Sequence, residues 1–262
     1  MKRRTSLLSA GMRSKTQMKP TPSYPPDTLP VLAFGAHPDD IEFGCGGVIV
    51  QETLAGRSAH LVVCSRGEAA THGQPEQRVT EARRAATLLG ATIEFVEFDG
   101  DSHLEVRAAH AITLAGVLRR VRPGVVLAPS VVENQHPDHW RLGRLVCDAA
   151  RLACFGGLRE LAASPPHRIS QLLFYAVTRE AEPDNISPVL IDISRPEVVA
   201  AWVAAMEAHA SQTGARNYVE VQLARARLHG LGAAMEYATA LFPADPLVFT
   251  SLSGLGRGAR GS

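Results

Sequence analysis

Short apolar runs alternate with stretches of helical periodicity along the first half of this sequence, and the alternation restricts the chain to few folds. Each run is too short for a helix and precedes a longer stretch whose apolar residues recur with a period of about 3.6 residues. The pattern predicts strands at 31–34, 60–64, 93–97 and 125–128, and helices at 47–54, 76–89, 109–120 and 142–153. Such alternation favours a Rossmann-like, doubly wound α/β fold with a mainly parallel sheet and right-handed crossovers.

The last third of the chain has a different pattern. It predicts strands at 171–177 and 189–193, followed by helices at 196–210 and 221–236. We assign these elements to one domain, residues 30–250, in which they cover the sheet edge and the pocket. Residues 1–29 are basic and rich in Pro, Ser and Thr, and are predicted to be a disordered leader or an over-extended start. Residues 251–262 are predicted to be a flexible tail.

Composition narrows the possible partners and the compartment. The 262 residues are 45% hydrophobic, which is enough for a large core, and the net charge of +1 gives no field that would attract nucleic acid or an anionic membrane. The chain has no long apolar run and no convincing signal peptide, so we expect a cytoplasmic protein. Its four cysteines lack Cys-x-x-Cys spacing and are expected to be reduced thiols.

Two polar motifs, Ala36-His-Pro-Asp-Asp40 and His136-Pro-Asp-His139, each follow a predicted strand. Loops that leave the carboxyl ends of parallel strands are where α/β folds place ligands, so we expect the motifs to converge. Two histidines and one carboxylate would then form a metal site, made of His37, Asp40 and His139. Three nitrogen and oxygen ligands with an open fourth position are typical of catalytic zinc, although Fe²⁺ or another divalent metal would also be accepted.

The remaining motif residues predict amide hydrolysis. Asp39 can take a proton from the attacking water and later deliver it to the leaving amine. His136 can donate to the oxyanion, with Asp138 holding its imidazole protonated and oriented. Each motif alone is more often a turn or a helix start, and Asp138 could simply cap a helix that begins at His139. The occurrence of both motifs after strands favours a site.

These motifs, together with Gly46 and Gly47, resemble the PIG-L/LmbE family of zinc N-deacetylases, and the similarity extends over residues 31–249. Five stretches resemble most the bacillithiol-biosynthesis branch, which removes acetyl from an N-acetylglucosaminyl malate: 31–37, 76–82, 164–168, 188–194 and 208–212. The resemblance implies the same metal ligands, the same acid/base residue Asp39, and the same roles for His136 and Asp138.

The resemblance also implies several substrate-binding residues. It places Arg78 at the substrate, whereas its position in a helical pattern would also suit a surface ion pair. Weaker candidates are Arg168, Tyr218, Asp101 and Glu68, of which the two acidic residues could contact sugar hydroxyls or only brace loops. Bacillithiol-type relatives carry an arginine where this chain has Gln135, and losing that charged donor weakens the case for a malate group.

The sequence therefore predicts a zinc-dependent N-deacetylase of N-acetylglucosamine-type small molecules. An alternative is an amidase of a thiol-sugar conjugate or another acylated metabolite. A nucleotide-binding module is suggested by the sheet and by residues 44–47, but these lack Gly-x-Gly-x-x-Gly spacing and lie beside carboxylates that would repel phosphate. A non-catalytic sugar-binding relative is a further alternative. From the resemblance we expect a homo-oligomer, a hexamer or a trimer. From the balanced charge we expect that it binds neither nucleic acid nor membrane.

Overall fold

A seven-stranded sheet with the order β3-β2-β1-β4-β5-β7-β6 forms the centre of the protein. The computed structural model describes residues 29–133, 136–214 and 217–259. The strands are β1 (Val31–Gly35), β2 (Ala59–Val63), β3 (Thr92–Phe95), β4 (Val125–Pro129), β5 (Gln171–Tyr175), β6 (Val189–Asp192) and β7 (Ala238–Pro243). The helices are α1 (Asp40–Leu54), α2 (Pro75–Leu88), α3 (Ala108–Val121), α4 (Pro137–Leu152), α5 (Pro196–Glu207), α6 (Ala210–Thr213) and α7 (Tyr218–Leu231).

Strand pairing confirms the predicted α/β class. The strands β3, β2, β1, β4 and β5 are parallel, whereas β7 runs antiparallel to both β5 and β6. The strand order moves outward from β1 in one direction and then in the other, as in a doubly wound sheet. The loops after the central neighbours β1 and β4 leave the same edge of the sheet.

The core lies on both faces of the sheet because successive side chains of a strand point to opposite sides. All residues of β1 are buried. Val31 and Ala33 pack in a cluster with residues of α1, α2, α5 and α7. Leu32 and Phe34 pack in a second cluster with α3 and α4. Burial on both faces explains why β1 is a continuous apolar run without polar alternation.

Four elements differ from the sequence prediction: α1, α4, α7 and β7. Helix α4 begins at Pro137, five residues before the predicted start at residue 142, and α7 ends at Leu231, five residues before the predicted end at residue 236. Helix α1 begins at Asp40, seven residues before the predicted start at residue 47. The helix is kinked at Cys45, between two of its glycines, where φ is −148° and ψ is 15°. These glycines allow close packing, because a Cβ at Gly44 would lie 2.1 Å from the ring of Tyr175, and one at Gly46 would lie 2.8 Å from Trp202. Strand β7 was not predicted, yet it joins β6 to the sheet.

The boundaries at the two ends remain predictions. Residues 1–28 of the predicted leader and residues 260–262 of the predicted tail lie outside the described residues. The described part of the tail contains a short 3₁₀ turn, Leu252–Gly254, with exposed side chains. Within the described ranges, no helix has the length and apolar character needed to span a bilayer.

Candidate metal centre and substrate cleft

The loops after β1 and β4 bring His37, Asp40 and His139 together, as the motifs predicted. His139 Nε2 lies 3.0 Å from Asp40 Oδ1, and His37 Nδ1 lies 3.5 Å from Asp40 Oδ2. One ligand atom from each residue falls within 4.8 Å of the others. Two imidazoles and a carboxylate at this spacing fit a divalent metal ion of the zinc or iron type.

Asp40 is fixed in place by the backbone that precedes it. Its Oδ2 accepts hydrogen bonds from the backbone N–H groups of Ala36 and His37, at 2.8 and 2.9 Å. Burial acts to raise the pKa of Asp40, but the adjacent His139 and His37 outweigh it and hold that pKa well below its usual value. The carboxylate is therefore ionised and preoriented, as a metal ligand must be.

His37 contacts two further carboxylates through its other ring nitrogen. Its Nε2 lies 3.2 Å from Asp101 Oδ1 and 3.4 Å from Asp138 Oδ2. An Nε2–H that donates to these oxygens leaves Nδ1 unprotonated and facing Asp40, which is the usual carboxylate–histidine arrangement behind a metal ion. Burial acts to lower the pKa of His37, but its carboxylate neighbours, Asp40 first, raise it well above the usual value in the metal-free protein.

This geometry changes the expected partner of Asp138. The carboxylate of Asp138 contacts His37 and accepts from the backbone N–H of Ser102 at 2.7 Å, whereas the sequence prediction placed it against the imidazole of His136. The reason is the α4 start, which turns the Asp138 side chain toward the loop after β1. The backbone N–H of Asp138 donates to His136 Nδ1 at 3.3 Å. A carboxylate oxygen of Asp138 lies within 4.8 Å of a ring nitrogen of His136, and its charge acts to raise the pKa of that imidazole.

His136 is the N-cap of α4. The alternative interpretation, in which Asp138 caps a helix beginning at His139, is therefore wrong. Because Nδ1 accepts the capping hydrogen bond, neutral His136 carries its proton on Nε2, which lies 3.3 Å from Ser102 Oγ and 3.5 Å from Asp101 Oδ1. Burial, followed by the charges of His37 and His139, lowers the pKa of His136. Nε2–H is thus a neutral hydrogen-bond donor at the cleft.

Asp39 has an unusual backbone conformation, with φ 107° and ψ −25°. A left-handed conformation is costly for a residue other than glycine and is often found at functional sites. Arg78 holds the turn: its Nη2 donates to Pro38 O at 2.8 Å and lies 3.3 Å from Asp39 Oδ2. Burial, and then the charge of Asp40, raises the pKa of Asp39 to about 6 against the opposing effect of Arg78. A carboxylate with this pKa can exchange a proton near neutrality.

Arg78 is only 4% exposed, so the surface ion-pair interpretation is wrong. Its Nη1 donates to Gly67 O at 3.1 Å. Gly67 has φ +72°, and a Cβ there would lie 2.0 Å from Arg78 Nη1, so this glycine permits the guanidinium to pack directly on the loop. Arg78 therefore positions the Asp39 turn while it also lines the cleft.

The candidate metal ligands His37, Asp40 and His139 line an open cleft of about 1080 Å³. Its walls come from the loop at 69–72, from residues 177–180 and from one face of α7. Asp101 and Tyr218 line this cleft, as expected of substrate-binding candidates. A cleft of this size can hold a small molecule of one or two sugar rings.

The other substrate-binding candidates have different positions. Glu68 braces two loops, because its carboxylate accepts from the backbone N–H groups of Arg66 and Asp101 at 2.9 and 3.1 Å. Arg168 is exposed and precedes β5, which places it at the amino end of that strand, on the edge of the sheet opposite the metal-binding loops. The structure of the single chain therefore does not bring Arg168 to the cleft. Gln135 lies outside the described residues.

The residues that line the cleft also include His72 and Gln212, to which the sequence analysis assigned no role. His209 is a further residue without an assigned role. The side chain of His209 is fully buried, and its Nε2 lies 3.5 Å from Glu42 Oε1 on α1. The signal that could have identified this region is the stretch 208–212, which carries part of the family resemblance.

Comparisons with known proteins agree with the two motifs. A family model described as PIG-L, GlcNAc-PI de-N-acetylase, matches residues 32–150. A diacetylchitobiose deacetylase from Thermococcus kodakarensis is 32% identical over 57% of this chain and 60% of its own length. A 4-oxalmesaconate hydratase from Pseudomonas putida is 30% identical over 52% and 58%, and YaiS of Escherichia coli, described as an uncharacterized deacetylase, is 31% identical over 47% and 67%. The chain thus spans about three fifths of the length of the first two relatives.

The fold also matches a solved structure. The conserved protein TT1542 from Thermus thermophilus superposes with a TM-score of 0.75 and is 32% identical, over 87% of this chain and 100% of that protein. The similarity therefore covers the C-terminal strands and helices as well as the part that carries the motifs.

Proposed function

Since this chain belongs to the PIG-L family, we propose that it is a metal-dependent N-deacetylase that hydrolyses the acetamide of an N-acetylglucosamine-type small molecule to a free amine and acetate. The observation that carries the proposal is the convergence of His37, Asp40 and His139 with Asp39 in one cleft. The deacetylases among the relatives support the same reaction class.

The proposed roles follow from the geometry of the chain's own groups. A divalent cation held by His37, Asp40 and His139 would polarise the amide carbonyl and acidify the attacking water. Asp39 takes the proton of that water and passes it to the leaving amine. His136 donates from Nε2–H to the carbonyl oxygen as negative charge develops there. Asp101 and Asp138 orient His37 from behind.

We propose zinc as the metal, with Fe²⁺ or another divalent ion as the alternative. Nitrogen and oxygen ligands without a thiolate, and three protein ligands that leave further positions open, are typical of catalytic zinc sites. Cys45 and Cys64 lie near the metal-binding loops, but both are buried and burial raises the pKa of each thiol, so neither competes as a ligand.

For the substrate, we propose an N-acetylglucosaminyl conjugate of the kind used in bacillithiol biosynthesis, and the sugar is better supported than a malate group. An acidic group needs cationic partners. Among the described residues that line the cleft, Arg78 and Arg225 already donate to protein oxygens, and Arg225 also pairs with Glu182 at 2.7 Å. Arg179 is the remaining arginine of this described lining.

The hydratase among the relatives makes addition of water to an unsaturated acid the second candidate. Its named substrate is an organic acid anion, which would have to approach four aspartates, namely Asp39, Asp40, Asp101 and Asp138. These four carboxylates still outnumber the three positive charges of a divalent cation and Arg78, which favours a neutral amide over an anion. An amidase acting on another acylated metabolite would use the same groups.

The test is amine release from N-acetylglucosamine, its malate conjugate and diacetylchitobiose by zinc-loaded protein, beside an Asp39→Asn variant of equal metal content. We expect turnover by the unchanged protein and a loss of at least about 10²-fold in the variant, since an amide cannot accept the water proton. Full activity of Asp39→Asn would remove Asp39 from the proton transfers. No amine release by fully metallated protein, together with consumption of 4-oxalmesaconate, would replace the deacetylase proposal with the hydratase.

A further inference from the structure

The segment 208–212 takes no part in the proposed chemistry, yet it contacts two helices that border the cleft. His209 is buried beside Glu42 on α1. Ser211 donates from its backbone N–H and from Oγ to the two carboxylate oxygens of Glu81 on α2, at 3.0 and 2.6 Å. Glu81 lies one helical turn from Arg78. The segment is thus fixed to the two helices that carry the metal ligand Asp40 and the guanidinium beside Asp39.

Gln212 ends this segment and lines the cleft. Its Nε2 donates to His72 O at 2.7 Å and to Ser211 Oγ at 3.1 Å, which uses both hydrogens of the amide group. The opposite orientation of the amide would place its oxygen against the carbonyl oxygen of His72, a repulsive contact. The orientation is therefore determined by the hydrogen bonds, and the group left over is the carbonyl oxygen Oε1.

The loop that accepts from Gln212 is itself held against α6. Gly73 has φ +79°, and a Cβ at this position would lie 2.7 Å from the side chain of Ser211. Loop and helix therefore pack in direct contact before any ligand arrives. Among the residues that the structure describes, no group donates a hydrogen bond to Gln212 Oε1. A preoriented acceptor on the wall of a cleft is available to a ligand that supplies a hydrogen-bond donor.

We infer that Gln212 Oε1 accepts a hydrogen bond from a hydroxyl group of the sugar ring, and that Gln212 is a specificity-determining residue of this cleft. The inference rests on the proposed function, because it assigns the sugar end of the same substrate. An acetyl carbonyl or a carboxylate offers no hydrogen at neutral pH, so neither can satisfy this atom. A ring hydroxyl can donate to Gln212 Oε1, and the lone pairs of the hydroxyl oxygen remain available to other donors.

The experiment compares a Gln212→Met variant with the unchanged protein against methyl glucosaminides that each lack one ring hydroxyl. These amines are products, so calorimetry gives dissociation constants without turnover, and kcat/KM is measured separately on the acetylated forms. Met has a similar length and no hydrogen-bond acceptor of comparable strength. Ser211→Ala is the control, since it removes one contact to Glu81 and one to Gln212 but leaves the carbonyl of Gln212 in place.

We expect one deoxy sugar to bind the unchanged protein about threefold to tenfold more weakly than its parent, the range of a neutral hydrogen bond. Gln212→Met should bind that deoxy sugar and its parent equally. For every other deoxy sugar, the ratio of its dissociation constant to that of the parent should be the same in the variant and in the unchanged protein. Ser211→Ala should keep the pattern of the unchanged protein, even if thermal unfolding shows it to be less stable.

Identical ratios for every deoxy sugar in the unchanged protein and in Gln212→Met would overturn the inference, as would failure of all the amines to bind. The two proposals fail separately. Hydrolysis of acetylated sugars with no effect of Gln212→Met on the ratios would sink only the role of Gln212. Binding with the expected pattern but no amine release would sink only the deacetylase.

Discussion

His136 combines a structural and a chemical role in one ring. Its Nδ1 caps α4, and its Nε2 faces the cleft beside Ser102 and Asp101. A substitution will therefore affect both stability and rate, and the two effects have to be separated. The ring takes no part in the predicted ligand set of His37, Asp40 and His139, although His136 also belongs to a second group that could hold a metal ion, with His37, Asp101 and Asp138. The metal content of each variant therefore has to be measured beside its rate.

For His136→Ala we expect kcat to fall by about 10²- to 10³-fold, as after loss of one oxyanion donor. Stability should fall by about 1 kcal/mol through loss of the cap. His136→Ser is the matched control, because serine is a good N-cap residue but its hydroxyl is too short to reach the carbonyl. It should recover stability in thermal denaturation without recovering the rate. Retention of more than half of the activity by the alanine variant, with zinc bound, would exclude the donor role.

The raised pKa of His37 predicts how metal binding depends on pH. In the metal-free protein the carboxylates around His37 outweigh the effect of burial and stabilise its protonated form. That stabilisation is present at low pH and is lost as the pH rises through the raised pKa. The metal requires the deprotonated ring, so protons and metal compete. Metal affinity should rise by about tenfold per pH unit where one proton is released.

Competition with a chelating dye between pH 6 and pH 8 measures this dependence, and calorimetry in buffers of different ionisation enthalpy counts the protons released. An affinity that stays constant over this range would show that His37 is already neutral in the metal-free protein.

At the level of elements, the close contact between α1 and β5 depends on one glycine. A Cβ at Gly44 would lie 2.1 Å from the ring of Tyr175, which is fully buried and donates to Phe34 O at 2.7 Å. The ring cannot turn away without losing that hydrogen bond. Because α1 carries Asp40 in its first turn, displacement of the helix would also disturb the metal site.

Gly44→Ala should therefore destabilise the protein by about 1–3 kcal/mol, the usual cost of overpacking, despite the higher helix propensity of alanine. Gly116→Ala in α3 is the control, since a Cβ there meets only Leu161 at 3.5 Å. It should be neutral or stabilising by up to about 1 kcal/mol. Denaturant unfolding of both variants measures the difference. Equal stability of the two would mean that α1 shifts at little cost.

The sequence predicted the elements whose signals are local. Strand β1 and its motif were recognisable because a short apolar run precedes His37, and α4 because of its periodicity. Strand β7 was missed, since a short apolar segment after a helix has no distinctive period. The start of α1 was placed too late because glycines resemble helix breakers until their packing against Tyr175 and Trp202 is known.

The same limit applies within the site. The metal ligands, and Asp39 beside them, were predicted from two short motifs. The partner of Asp138 was not, because it depends on how the loop around Ser102 approaches His37, and no sequence spacing encodes that approach. The contact between Arg78 and Pro38 O joins elements far apart in the chain, so burial of Arg78 was equally hidden.

For the whole molecule, the homo-oligomer remains a prediction. Helix α7 exposes three large apolar side chains, Val221, Leu228 and Leu231, of which Val221 and Leu228 also line the cleft. Contiguous exposed apolar side chains are common at interfaces between subunits. Sedimentation at micromolar concentration should show a species larger than the 28.0 kDa chain. A single species of that mass would contradict the expectation, and an α7 variant with Leu231→Glu would test whether this helix contributes.

The carboxylates that surround His37 also bear on how the products would leave. Around the site, four aspartates face one buried guanidinium and a divalent cation, so negative charges outnumber positive charges by four to three. Acetate, an anion, should depart readily from such surroundings, whereas an amine that takes up a proton is retained. Product inhibition by the amino sugar should therefore exceed inhibition by acetate, and turnover at high conversion should be limited by escape of the amine. Added salt should reduce the difference between the two inhibition constants.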